Sequence, residues 1–139
     1  MLVPRADYYD VYKQIQTLSF QCAVLVFSSN GDADALCAYK ILTDLFKLDS
    51  IAFSVIPVTN GDHLQQQAET HLSDETEDRA IVLINCGGLE DVQKLLPPLS
   101  EDSRVFVIDS HRPLHVNNVR ANNKSVLVLY EEEMESVKE

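Results

Sequence analysis

The sequence predicts an α/β domain: a parallel, doubly wound sheet of about five strands with helices on both faces. Three observations lead there. Of five short stretches that read as strands, 22–27 and 80–84 are apolar throughout rather than alternating, which marks strands covered on both sides. Between them lie stretches with apolar residues at helical spacing, so strand and helix take turns along the chain. Three of the strands then end in small, polar or acidic residues, where open parallel sheets hold their ligands.

In order, residues 4–20 carry Tyr8, Val11, Tyr12, Ile15 and Leu18 at helical spacing behind Pro4, and predict an amphipathic helix. Residues 22–27 form the first apolar strand. A turn at Asn30-Gly31 follows, then a helix over 33–47 whose expected buried stripe is Leu36, Tyr39, Leu42, Leu45 and Phe46. A strand is expected over 51–56. Asn60-Gly61-Asp62 opens a helix that buries Leu64, Ala68 and Leu72. Residues 73–79 read as a charged surface loop, and 80–84 as a strand ending at Asn85-Cys86-Gly87-Gly88. A short helix with Leu89, Val92, Leu95 and Leu96 stops at Pro97-Pro98. Strands follow over 104–108 and 125–130, with an Asn-rich connection over 114–124. Residues 131–139 are acidic and read as the start of a linker or insertion.

A length of 139 residues suits one domain, 1–139, with its own core. The net charge is -11, with 11 Lys and Arg against 22 Asp and Glu. Phosphate binding needs clustered cations, so autonomous nucleic-acid binding is disfavoured; one basic groove in a larger assembly stays open. Cys22, Cys37 and Cys86 are odd in number, sit in apolar segments and form no CxxC pair. They support neither a disulfide framework nor a zinc site, and fit reducing surroundings. No apolar run is long enough for a membrane span, and no secretory leader is read at the start.

The chemistry gathers in three clusters: Asn30 with Asp32 and Asp34 after the first strand, Asn85-Cys86-Gly87-Gly88 after the third, and Asp109-Ser110-His111 after the fourth. In a parallel sheet these should meet at one edge. Carboxylates and a histidine together can hold divalent cations that activate water against a phosphodiester. Each residue also has a plainer reading. Asp32 can cap a helix, Asp34 can favour its positive end, and Cys86-Gly87-Gly88 can simply turn the chain. His111 can belong to a surface loop. His63 and His71 lie on an expected surface helix and read as solvated.

Through these residues the sequence resembles the DHH phosphoesterases, typified by the RecJ exonuclease. The resemblance implies that Asp32, Asp34, Asp109 and His111 match the family's ligands for two manganese or magnesium ions. Asn30, Asn85 and Ser110 stand where the family has two aspartates and a histidine. An amide supplies no charge to a divalent ion, and serine is a poor substitute for imidazole. The same losses relieve repulsion among the remaining carboxylates, so the pocket can fold without an ion.

A more specific resemblance spans nearly the whole chain. The runs Asp32–Leu42, Ile81–Gly87 and Asp109–Pro113 are similar to the N-terminal region of the cell division control protein 45 family. That resemblance implies an inactive, vestigial DHH site made of Asn30, Asp32, Asp34, Asn85, Asp109, Ser110 and His111, with no catalytic residue, metal or cofactor. It implies a nuclear scaffold in the replicative helicase, assembled with the Mcm helicase ring and the GINS complex, with single-stranded DNA as a further partner of the full-length protein. It also implies that the 139 residues are an N-terminal part of a longer chain. One alternative is an active metal-dependent phosphoesterase or exonuclease on single-stranded nucleic acid or small nucleotides, and a second, which the RecJ resemblance suggests, is a single-stranded DNA guide.

Overall fold

The computed structural model describes residues 1–72 and 77–131. A two-residue strand β1 (Leu2–Val3) leads through a 3-10 turn (Arg5–Asp7) into α1 (Tyr8–Leu18). Then come β2 (Val24–Ser29), α2 (Ala33–Leu48), β3 (Phe53–Val58), α3 (Gly61–His71) and β4 (Ala80–Ile84). The chain continues through α4 (Val92–Leu95), β5 (Arg104–Ile108), α5 (Val116–Val119) and β6 (Val126–Leu129). All strand pairs are parallel, and the sheet order is β1-β6-β5-β4-β2-β3.

That order places the chemistry. From β2 the chain moves outward to β3, then crosses back to β4 on the other side of β2. The carboxyl ends of β2 and β4 therefore flank a topological switch point, where a crevice opens above the sheet. Ser28 lies beside Ile84, and Ile84 beside Ile108, so the loops after β2, β4 and β5 leave the sheet side by side.

The apolar strands are explained by two layers of cover. On one face Val11 and Ile15 of α1 and Ala35 and Phe46 of α2 pack on Val24, Val26, Val82 and Phe106. On the other, Leu64 and Ala68 of α3 and Val92 of α4 pack on Leu25, Phe27, Leu83 and Val107. All five residues of β4 are buried, as a central strand without a polar side requires. The long helices start where capping side chains stand: Asp32 caps α2 and Asn60 caps α3.

Several expectations change. The sheet has six strands because Leu2–Val3 pairs with Val128–Leu129 at its edge. Residues 4–20 are a 3-10 turn and then a helix, not one helix. The first strand lies two residues later than expected, and so does the second. In α2, Leu36 and Leu45 are exposed, while Ala35 and Thr43 are buried beside Phe46. The sheet takes the small Ala35 at the close approach, which rotates the apolar leucines outward. Leu89 precedes α4 and is exposed. The expected loop over 73–79 and the acidic end over 131–139 lie largely outside the described residues. Among the described residues no helix is long and apolar enough to cross a membrane.

Candidate functional site

After β2 the chain turns at Gly31, whose φ of +81° suits a residue without a side chain. Asp32 then caps α2: its Oδ1 accepts from the backbone N–H of Asp34 at 3.0 Å and of Ala35 at 3.4 Å. Its other oxygen faces the next loop. There Asn85, at φ +53°, projects across the crevice, a conformation asparagine tolerates better than most residues. Asn85 Nδ2 donates to Asp32 Oδ2 at 2.8 Å. Asn85 Oδ1 accepts from the Ser110 N–H at 3.0 Å and from Ser110 Oγ at 3.4 Å. One neutral side chain thus ties the loops after β2, β4 and β5 together.

Asp109 is buried and likewise spent on internal bonds. Its Oδ2 accepts from the Gly88 N–H at 2.9 Å, and its Oδ1 accepts from the His111 N–H at 2.9 Å. His111 Nδ1 lies 2.5 Å from the same Oδ1, with the ring half exposed. A Cβ on Gly88 would meet Asp109 Oδ2 at 2.6 Å, so only glycine lets the loop reach this carboxylate. Arg112 turns back to donate to the carbonyls of Asp109 and His111, both at 2.8 Å.

The electrostatics follow from these partners. The Asn85 amide holds the Asp32 carboxyl below the usual carboxylate range, helped by the two backbone donors and the nearby His111. Burial pushes the Cys86 thiol up to about 12, and the Asp109 charge adds to the effect. Cys86 is therefore a protonated thiol, whose Sγ donates to the Phe27 carbonyl at 3.4 Å, and is a poor nucleophile. A cavity of about 230 Å³ lies over the network, walled by Asn60, Asn85, Glu90, Asp109 and His111. Its carboxylates disfavour a phosphate. A larger cleft of about 700 Å³ opens on the other side of the turn, against apolar Leu36, Tyr39, Val55 and Pro57.

The three clusters meet as the sequence predicts, through Asp32, Asn85, Asp109, Ser110 and His111. Two of the seven residues stand apart. Asp34 is exposed in the first turn of α2, and Asn30 reaches its neighbours through its backbone, donating to the Val58 carbonyl at 2.7 Å. The arrangement does not fit a pair of divalent ions. Among the described residues no three His, Cys, Asp or Glu side chains gather to hold a metal, and the oxygens of Asp32 and Asp109 are engaged by internal donors.

Sequence reasoning missed Asn118, which is fully buried. Its Oδ1 accepts from the Val92 N–H at 3.1 Å, and its Nδ2 donates to the carbonyls of Gly87, Gly88 and Glu90, the last at 2.7 Å. It holds the loop that presents the Gly88 N–H to Asp109. The only signal was its place in an Asn-rich stretch. His63, read as solvated, is half-buried; its Nδ1 accepts from the Thr59 N–H at 3.0 Å.

Comparison with known proteins gives a consistent set. The Cdc45 family model matches residues 24–139. The cell division control protein 45 homolog of Schizosaccharomyces pombe is 38% identical over 125 residues, covering 88% of this chain and 19% of that protein. The homolog of Homo sapiens is 33% identical over 130 residues, covering 93% of this chain and 21% of that protein. The crystal structure of CDC45 from Entamoeba histolytica superposes with a TM-score of 0.81 at 26% identity, over 96% of this chain and 26% of that one. The chain therefore spans about a fifth of the length of the curated relatives it matches.

Proposed function

The chain belongs to the Cdc45 family, and from that premise we propose that it is a non-catalytic scaffold domain of a DNA replication factor acting in the nucleus. On this reading it is the inactive DHH-like domain of a longer polypeptide. That polypeptide joins the Mcm ring and the GINS complex in the replicative helicase, for initiation and elongation, with single-stranded DNA as a further partner of the full-length protein. The observation that carries the non-catalytic part is Asn85. Its amide takes up the Asp32 carboxylate and the Ser110 backbone together, so an uncharged strut stands where the resemblance puts a phosphoesterase's aspartate ligand. The net charge of -11 supports docking to basic protein surfaces over grasping DNA alone.

The test replaces the matched segment of the fission yeast relative with this chain in cells depleted of their own copy. The hybrid should support replication, and should still do so with Asp32→Asn and Asp109→Asn together, provided those variants fold. Loss of replication on Asp32→Asn in a hybrid that is folded and assembled would contradict the scaffold reading. So would normal helicase assembly and unwinding by the relative with the segment deleted.

A further inference from the structure

The tripeptide Asn-Gly-Asp occurs twice, at 30–32 after β2 and at 60–62 after β3. Asparagine before glycine is chemically labile, because the bare glycine lets the side chain fold onto the next backbone nitrogen. Both asparagines are exposed, and their local sequences match; the fold treats them differently. Gly31 is exposed and Gly61 half-buried. Among the described residues, neither the Asn30 side chain nor the Gly31 N–H makes a hydrogen bond, and a Cβ on Gly31 would meet nothing within 4 Å. Asn60, by contrast, caps its helix. Its Oδ1 accepts from the His63 N–H at 2.8 Å, and its carbonyl accepts from the Leu64 N–H at 2.9 Å. Gly61 is the first residue of α3, and the Glu90 carboxylate packs against it, 2.5 Å from where a Cβ would stand.

We propose that Asn30 is a site of spontaneous deamidation and that Asn60, in the same tripeptide, is protected by the fold. The Gly31 amide nitrogen loses its proton to a base in the solvent and attacks Asn30 Cγ. The Cγ–N bond breaks, ammonia leaves with the proton returned to it, and a succinimide ring closes. Water opens the ring at either carbonyl and leaves aspartate or isoaspartate at position 30. The sum is amide plus water to carboxylic acid plus ammonia, with nothing oxidised or reduced. At Asn60 the same attack requires the side chain to leave the His63 N–H and the first turn of α3 to open. It also requires an amide anion beside the Glu90 carboxylate, which like charge disfavours. The product at position 30 adds a negative charge at the mouth of the cleft of about 700 Å³, next to Asp32. That charge repels the Asp32 carboxylate that caps α2. The isoaspartate form also lengthens the backbone between β2 and α2. The proposal is independent of the replication reading.

Trypsin cuts after Lys13, Lys40, Lys47 and Arg79, so peptides 14–40 and 48–79 report the two sites separately by mass spectrometry. The folded 139-residue chain, aged in mildly alkaline buffer, should gain aspartate and isoaspartate at position 30 about tenfold faster than at 60, the factor that a helix-cap hydrogen bond supplies. In guanidinium chloride the two sites should react at similar rates, because their local sequences match. The aged chain should melt at a lower temperature than the fresh one, and Asn30→Gln should remove both the product at 30 and that drop. Equal rates at the two sites in the folded chain, or no product at 30, would overturn the proposal. So would a lag at Asn60 that persists in guanidinium chloride, since the fold would then not be its cause. If the 139-residue chain does not fold alone, the hybrid with the fission yeast relative takes the same comparison.

Discussion

At the carboxyl ends of β2, β4 and β5, polar groups are paired with one another; along the outer side of α2, apolar groups are paired with nothing in the described chain. In the crevice, Asp32 and Asp109 have their oxygens taken by backbone N–H groups, Asn85 and His111. On α2, Ile41 and Leu48 stand in water. An active site usually shows the reverse, with unsatisfied or charge-strained groups in the crevice and a bland surface. The difference is between polar groups whose hydrogen bonds are met within the fold and apolar groups that nothing in the described chain covers.

Four variants or conditions probe that contrast, beginning with the strongest. Asn118→Ala strips the buried loop below the crevice of four hydrogen bonds and leaves the Val92 N–H unpaired. It should cost about 3 kcal/mol in urea unfolding. Asn85→Ala removes the strut alone and should cost about 1–2 kcal/mol. If it were neutral, the crevice would not be serving the fold.

Acid gives a subtler reading. The Asp32 carboxyl titrates lower in the folded chain than in the unfolded one. Its contribution is therefore full above the unfolded value of about 3.9 and is lost as pH falls through the lowered folded value. The stability gap between the parent and Asp32→Asn should hold from pH 7 down to about that value and close below it. A gap independent of pH would separate Asp32 from the network. Last, Ile41→Glu in the 139-residue chain should change stability by no more than about 0.5 kcal/mol, as surface positions do. A larger loss would mean that α2 is covered from within the chain.

The parts legible in the sequence are those that local pattern determines. Residues 80–84 are apolar without a break, and they are the central strand buried on both faces. Asp32 and Asn60 precede helical periodicity, and both cap their helices. The meeting of three clusters followed from parallel-sheet topology alone. The phase of α2 was not legible, because apolar residues surround most of that helix and spacing fits more than one stripe. β1 is two residues long, too short for any pattern, and exists because β6 offers it an edge. The work of Asn118 depends on a loop 26 to 31 residues away, which nothing near it in sequence reveals. The bridge at Asn85 needed a left-handed backbone as well as a side chain, and the sequence names only the side chain.

The central claim is that the crevice is closed on itself and performs no metal-dependent chemistry. Calorimetric titration of the 139-residue chain, and of the hybrid, with manganese at neutral pH tests it most directly, with release of nucleotides from a single-stranded oligonucleotide followed in parallel. The account predicts no saturable heat and no nucleotide release. Stoichiometric manganese binding that Asp32→Asn abolishes, accompanied by cleavage of the oligonucleotide, would contradict it.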